Sequence, residues 1–350
     1  MWIIGCDWHT RYEQIAAMNT TTGELMERRV EHEGGQVEKF YAALPQPVRV
    51  GIEATGTTQW FERLLARLGH ELWVGDAAAI RAAVVRQQKT DTRDAQHLLR
   101  LLLEGRFPRV WIPSVEERDL RQLLVHRSKL VRMRTQVRNQ LQWLAMSQGL
   151  CRKKKLWSIQ GRQELEALEL GPWAGERRRD LIALLDSLDA RIEPLNRKVI
   201  EVVERRPEAV RLMQQPGIGA VTALAFLLTL GSVDRFRRSK QLVSYLGLNP
   251  SERSSGGRQR LGAISKQGNT LVRWLLVEAA QTAARLDPEL RGDYVRLKFR
   301  RGARIAKVAI ARKLAVRMYW MLRTPDQHAQ RVSLQDSPES SMVDASPSRS

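Results

Sequence analysis

The stretch Trp2-Ile-Ile-Gly-Cys-Asp7 decides the reading of the chain: it is a short apolar run that closes on an acid. Val48-Arg-Val-Gly-Ile-Glu53 follows the same plan, alternating as a half-buried strand does and again ending on a carboxylate. Between them, Gln14–Met18 and Leu25–Val30 read as two more strands, joined through polar Arg11–Glu13 and the turn-forming Thr20–Gly23. Glu71–Val74 makes a fifth strand. Helical periodicity falls at about 34–44, 59–68 and 77–86.

Three strands in meander followed by β-α-β-α fit a ribonuclease-H-like α/β sheet. A doubly wound sheet fits less well, because its crossover helices need longer early connections. Beyond residue 110 the strand signals fade and the pattern becomes helical. Leu123, Leu130, Val137 and Leu144 recur every seven residues, and Leu181, Leu185, Leu188, Ile192, Leu195, Val199 and Val202 alternate by four and three. That is a coiled-coil seam, which serves either a hairpin packed on itself or pairing between subunits. Pro194 lies inside the second run and is expected to kink or break it. A third, mainly helical segment starts near Pro207 and runs to 323, with an apolar helix at Val221–Leu230. From Thr324 the chain turns to Ser, Pro, Asp and Gln, the composition of a disordered tail. The expected organisation is therefore 1–110, 111–206, 207–323 and a tail at 324–350.

At 350 residues the chain is long enough for two or three buried cores. Hydrophobic residues make up 43% and charged residues 27%, which excludes a disordered or membrane-embedded chain as a whole. No apolar run approaches a membrane span, the N-terminus lacks a signal-peptide pattern, and Cys6 and Cys151 cannot build a disulfide framework. A soluble, intracellular protein with no membrane partner is expected. Lys and Arg total 58 against 38 Asp and Glu, a net charge of +20 that makes nucleic acid the first-choice partner.

That excess is uneven. Residues 1–110 balance at 14 basic and 14 acidic side chains, whereas 111–160 hold 11 against 3 and 211–350 hold 24 against 10. Arg121, Arg127, Lys129, Arg132, Arg134 and Arg138 follow one another with no acid between, and Arg152-Lys153-Lys154-Lys155 comes after. Residues 291–317 hold ten basic side chains, Arg300 and Arg301 among them, against Asp293 alone, with Tyr294 and Phe299 interleaved. Helical basic faces are often merely solvated, but runs this dense repel themselves unless a polyanion neutralises them. Such runs are expected to hold a nucleic acid, structured RNA mainly through its phosphates and 2′-hydroxyls, with the aromatics available for unstacked bases.

Lys89-Thr-Asp91-Thr-Arg-Asp94 opens a helix that continues through Leu102, and the two acids, three apart, share one face. Asp7, Glu53, Asp91 and Asp94 thus come from two strand ends and one helix start. Four such carboxylates suit a pair of Mg²⁺ ions, which prefer oxygen ligands and can activate one oxygen and neutralise another in phosphodiester chemistry. Taken singly, each acid is more often a strand-end charge or a partner of a helix dipole than a metal ligand. Gly51-x-x-x-x-Gly56 imitates a phosphate-binding loop, but Thr57 stands where Lys is required, which argues against nucleotide hydrolysis.

Pro216-Gly217-Ile-Gly219 has the form of a helix-hairpin-helix turn whose backbone N–H groups approach a phosphate, or of a plain tight turn. In Arg253-Ser254-Ser255-Gly-Gly257, with Arg258, Arg260 and Lys266 nearby, a hydroxyl sits among cations. Those charges suit a phosphorane-like transition state, provided that a base or metal takes the serine proton. Without that help the segment is an ordinary basic loop.

Together these motifs resemble, in order and over roughly 1–323, those of the insertion sequence 110 transposases. The resemblance rests on Asp7, Glu53, Lys89-Thr-Asp91-x-x-Asp94-Ala95, Pro216-Gly-Ile-Gly219, Arg253-Ser-Ser-Gly-Gly257 and Ile264-Ser-Lys-x-Gly-Asn269. It implies a RuvC-like domain of ribonuclease-H fold, a helical coiled-coil connector and a mainly helical transposase domain. It implies Mg²⁺ on Asp7, Glu53, Asp91 and Asp94, and a covalent phosphoserine at Ser254 or Ser255, with Ser254 favoured. It further implies a guide, the bridge RNA, that pairs with donor and target double-stranded DNA. A homo-oligomer, a dimer of dimers acting at the nucleoid in the cytoplasm, is also implied. Nucleic-acid contacts are expected at Arg127, Lys129, Arg132, Arg134, Arg138, Lys153, Lys154, Gly217, Gly219, Arg253, Arg258, Arg260, Lys266, Arg300 and Arg301. Arg253 departs from the aromatic or polar residue expected before the serine pair. Two other readings stay open: a metal-dependent, structure-specific DNA nuclease, and a non-enzymatic nucleic-acid scaffold.

Overall fold

Side chains alternate across a strand, so Trp2, Ile4 and Cys6 face one side of the first strand and Ile3, Gly5 and Asp7 the other. Both sides are used. In the computed structural model, which describes residues 1–45, 47–84, 90–152, 155–252 and 260–324, that strand is β1 (Trp2–Trp8). It pairs antiparallel with β2 (Tyr12–Asn19), and β2 with β3 (Leu25–Glu31). After α1 (Gln36–Ala42), β4 (Val48–Glu53) adds parallel to β1. After α2 (Gln59–Arg67), β5 (Glu71–Gly75) adds parallel to β4, which gives the order β3-β2-β1-β4-β5. The five expected strands are all present, in a mixed sheet. Two helices, α3 (Ala77–Ala82) and α4 (Asp91–Leu103), complete this first unit, Met1–Ile112.

Trp2, Ile4, Cys6, Val50 and Ile52 pack against Val37 and Tyr41 of α1 and Phe61 and Leu65 of α2. On the opposite face, Ile3 and Ala16 meet Ala95, Leu98, Leu99 and Leu102 of α4. Gly5 and Gly51 are register partners on that second face. A Cβ at Gly5 would collide with the Ala95 carbonyl oxygen and the Leu99 nitrogen; one at Gly51 would stand 2.7 Å from Leu102 Cδ1. Two bare backbones side by side therefore let α4 lie directly on the sheet. Glu13 is buried on the α1–α2 face, where the Cys6 thiol donates to its Oε2 at 3.4 Å. Burial pushes its carboxyl up to about 8.

From Pro113 a second unit begins, mostly helical among the described residues. Ser114 and Glu117 form a reciprocal cap that starts α5 (Val115–Ser147). After α6 (Ile159–Glu166), α7 (Pro172–Glu204) returns along α5. Leu130, Val137, Leu141 and Leu144 of α5 share a core with Leu185, Leu188 and Ile192 of α7, so the seam is filled inside one chain. The expected break at Pro194 is absent: α7 runs through it. Pro194 and Ala190, whose carbonyl loses its helical partner, are both exposed, so water can satisfy that oxygen.

The rest of the unit is α8 (Pro207–Met213), α9 (Ala220–Leu230), α10 (Ser239–Tyr245), a hairpin of β6 (Pro250–Glu252) and β7 (Leu261–Ile264), and then α11 (Thr270–Leu286), α12 (Pro288–Arg301) and α13 (Ala303–Arg323). Apolar α9 sits in their common core, with Leu242, Leu276, Ala280, Leu314 and Met318. Residues 325–350, where a disordered tail is expected, lie outside the described residues.

Gly5→Ala is expected to cost about 1–3 kcal/mol through the collision with α4. Gly56→Ala, where a new Cβ meets nothing within 4 Å, serves as the neutral control. Urea unfolding checks both, and an unchanged Gly5→Ala midpoint would contradict the close approach of α4.

Candidate active site

The contact that seats α4 also sets the site. A strand advances about 3.3 Å per residue and a helix about 1.5 Å. From Gly5, two steps along β1 reach Asp7; from Ala95, one turn back along α4 reaches Asp91. The two paths are nearly equal in length, so the carboxylates meet. Thr90 caps α4, its hydroxyl accepting from the Arg93 N–H at 3.3 Å, and the positive end of the helix favours Asp91 and Asp94 there.

His9 joins them. Its Nε2 lies 3.0 Å from Asp7 Oδ2 and 3.4 Å from Asp91 Oδ2, and ligand atoms of all three residues fall within 4.8 Å of one another. The β1–β2 turn closes with the His9 N–H on the Tyr12 carbonyl at 3.0 Å, which puts the two rings in a stack at 4.5 Å. Tyr12 donates its hydroxyl to Asp91 Oδ2 at 2.7 Å, and the Arg29 guanidinium covers the Tyr12 ring at 3.7 Å. Sequence reading missed His9 and Tyr12, although a histidine two places after a strand-end aspartate is a usable signal.

Burial pushes the Asp7 carboxyl up, and the charges of Asp94 and Asp91 push the same way, while His9 pulls it down. An acid that is desolvated and repelled by two neighbours gains most from a cation. The set of carboxylate oxygens with one imidazole nitrogen fits a hard divalent ion that keeps some of its waters. Glu53, one place beyond the Cys6–Ile52 pair, stands next to Asp7 on the sheet. Its carboxylate does not join the cluster but accepts from Arg81 Nη2 at 3.0 Å.

The expected nucleic-acid residues divide into engaged and available groups. On α5, Arg127 donates to Asn196 at 2.7 Å, and Arg134 and Arg138 both reach Asp189, at 2.9 and 3.4 Å. Lys129 and Arg132 are exposed and make no side-chain bond among the described residues. Gly217 is half-buried: with φ at +88°, it presses on α11, where a Cβ would stand 2.6 Å from the Ala279 carbonyl oxygen. That close packing by itself calls for a glycine at this position. Gly219 begins α9 with open space around it.

The β6–β7 stem pairs Pro250 with Ile264 and Glu252 with Leu261, and so brackets the serine loop. Arg260 and Lys266 lie exposed beside it. Buried Arg273, which sequence reading also missed, donates to the Leu246 and Gln267 carbonyls at 3.2 and 2.6 Å and ties the stem to α10. Ser254, Ser255, Arg253 and Arg258 lie outside the described residues, as do Lys153 and Lys154.

Tyr12→Phe removes the group that aims Asp91 while keeping the ring stack. Isothermal titration with Mn²⁺ is expected to show binding weakened by about tenfold or more at an unchanged melting temperature; wild-type affinity would show that the hydroxyl orients nothing that matters.

Family models match the chain in two places: one described as "Transposase", of the DEDD type, over residues 4–145, and one described as "Transposase IS116/IS110/IS902 family" over residues 209–295. The chain is 30% identical over 328 residues to a "Probable family 20 transposase" of Pseudomonas aeruginosa, covering 91% of this chain and 96% of that protein. It is 30% identical to the "Transposase for insertion sequence element IS1111A" of Coxiella burnetii over 69% of this chain and 68% of that one. A third relative, the "Transposase for insertion sequence element IS1328" of Yersinia enterocolitica, is 26% identical over 83% and 87%. With the acid cluster at the end of β1 and full-length similarity at this level, the chain belongs to the IS110/IS116/IS902 family of insertion-sequence transposases.

Proposed function

We propose that this transposase cuts and rejoins DNA strands by serine attack at a metal site built on Asp7, Asp91 and Asp94, with RNA choosing the DNA. The observation that carries the metal site is the meeting of Asp7, His9 and Asp91 at the junction of β1 and α4. The strand order β3-β2-β1-β4-β5, with acids ending β1 and β4 and opening α4, supports a RuvC-like, ribonuclease-H-fold reading. Glu53, now paired with Arg81, would be the fourth carboxylate to hold the ion.

Mg²⁺, two ions per site in this reading, would supply charge to stabilise the developing phosphorane and lower the pKa of a coordinated hydroxyl. The protein's own groups do the rest. Tyr12 fixes the Asp91 carboxylate, and His9 holds Asp7 and Asp91 together. A serine of the Ser254–Ser255 pair attacks phosphorus: the Ser Oγ–P bond forms, one P–O ester bond breaks, and the released oxygen takes a proton to leave as a hydroxyl. Attack by another DNA hydroxyl reverses these steps, frees the serine and conserves the number of phosphodiesters.

The segments divide the work as 1–110 for metal, 111–206 as connector, and 207–323 for the serine and DNA. Exposed Lys129 and Arg132, together with Lys153 and Lys154, serve the guide RNA. Trp143 and Trp173, 65% and 82% exposed, offer apolar surface for assembly as a dimer of dimers. No helix among the described residues is long and apolar enough to cross a membrane, which is compatible with work at the nucleoid.

The test uses the full chain purified with its RNA and a nicked DNA that traps the intermediate. Mass spectrometry is expected to find a DNA adduct on Ser254 or Ser255 that disappears with Asp7→Ala or with chelator. Hydrolytic cleavage without an adduct would replace serine attack by a metal-only nuclease mechanism. Cleavage that survives removal of the RNA would contradict guidance.

A further inference from the structure

The turn between α12 and α13 carries a feature that packing does not explain. Residues 298–305 are all exposed, and they comprise four cations (Lys298, Arg300, Arg301 and Arg304), no acid, and Phe299. Phe299 is 93% exposed, the most open large apolar side chain among the described residues, and its ring touches no other aromatic or cation there. Val295, one helical turn before it, and Ile305 are also more than half exposed.

None of the four cations makes an ion pair or side-chain hydrogen bond among the described residues. The acids of α12 are already spent nearby: Asp293 holds Arg296 and Lys313, and Glu289 holds Arg317. The dipole of α12 accounts for cations in its last turn but gives no reason for a bare phenyl ring among them. A second copy of the chain docking the same face would set four cations against four. A nucleic-acid strand with an exposed base satisfies both halves of the surface, phosphates on the cations and the base on the ring.

We propose that this corner is a stacking site for an unpaired DNA base, with Phe299 as the platform and Lys298, Arg300, Arg301 and Arg304 holding the flanking phosphates. The phenyl ring has no hydrogen-bonding group, so the site takes any base. It recognises opened DNA, as at a nick, gap or displaced strand, rather than sequence. The proposal rests on the reading that this protein handles DNA strands, and goes beyond it in naming the DNA structure that this corner selects.

The test compares a short duplex lacking one nucleotide with the same duplex intact, using full-length protein and 2-aminopurine opposite the gap. Wild type is expected to bind the gapped DNA more tightly and to quench the 2-aminopurine. F299A is expected to weaken gapped binding by about 5- to 100-fold, the range of one base–aromatic stack, with quenching lost and intact duplex unaffected. F299W restores both. Replacing Arg300 and Arg301 by Gln weakens both DNAs and lowers the salt dependence by about one ion per lost phosphate contact. Because Phe299 supports no packing, F299A is expected to melt as wild type does. Equal affinity of F299A and wild type for gapped DNA, or an equal loss on both DNAs, would overturn the stacking site. So would loss of self-association by F299A in sedimentation with DNA binding unchanged. Failure of wild type to bind either DNA would remove the underlying reading itself and is visible before any variant is made.

Discussion

A helix lies on a sheet at the distance its side chains allow, and in the first unit two side chains are missing. Gly5 and Gly51 stand opposite each other on neighbouring strands; the backbone of α4 presses into the space where a Cβ of Gly5 would be, and the Leu102 side chain into that of Gly51. From that seat the rest of the site follows by arithmetic of rise. Asp7 and Asp91 are each a few residues from the contact, on elements that run past one another, and both arrive at the same end of the sheet. An ordinary helix-on-sheet spacing would leave them a side chain's width apart.

Charge takes over where packing stops. The charges of Asp94 and Asp91 both push the Asp7 carboxyl up, and Asp7 is half-buried, so Asp7 is held beside Asp91 at a cost without a cation. His9 reaches both Asp7 and Asp91, and Tyr12 fixes Asp91 from the second strand of the hairpin. Glu53 keeps its charge satisfied on Arg81. That pair is exposed on both sides and therefore weak in water. Away from the acids, α5 uses Arg127, Arg134 and Arg138 to bind α7, so charge counted in the sequence overstates what that helix offers a polyanion.

The strands were legible because each alternates and two close on acids, and Asp91 and Asp94 because a helix start after Thr90 is a strong local signal. The heptads showed that α5 and α7 have seams, but not whether the partner is the same chain; that depends on the length and course of residues 148–171, which periodicity does not encode. Pro194 does not end the helix, because a proline's cost depends on whether the carbonyl four residues earlier meets water, and exposure is a tertiary property. His9 and Tyr12 sit in a segment that reads only as polar turn, and their role comes from hairpin register. Gly217 is the same letter whether a tight turn serves a phosphate or a close helix contact; its packing on α11 became visible only in the fold. Ser254 and Ser255 stand out in the sequence only through the resemblance to a family, since hydroxyls among cations are common, and they lie outside the described residues.

The central claim is that α4, seated on Gly5, makes a cation site of Asp7 and Asp91. Anomalous scattering from a crystal soaked in Mn²⁺ tests it most directly. The expected result is a peak within ligand distance of Asp7 Oδ2 and Asp91 Oδ2 that vanishes in Asp7→Asn crystals. A map with no peak there, or with a peak only elsewhere on the chain, would contradict it.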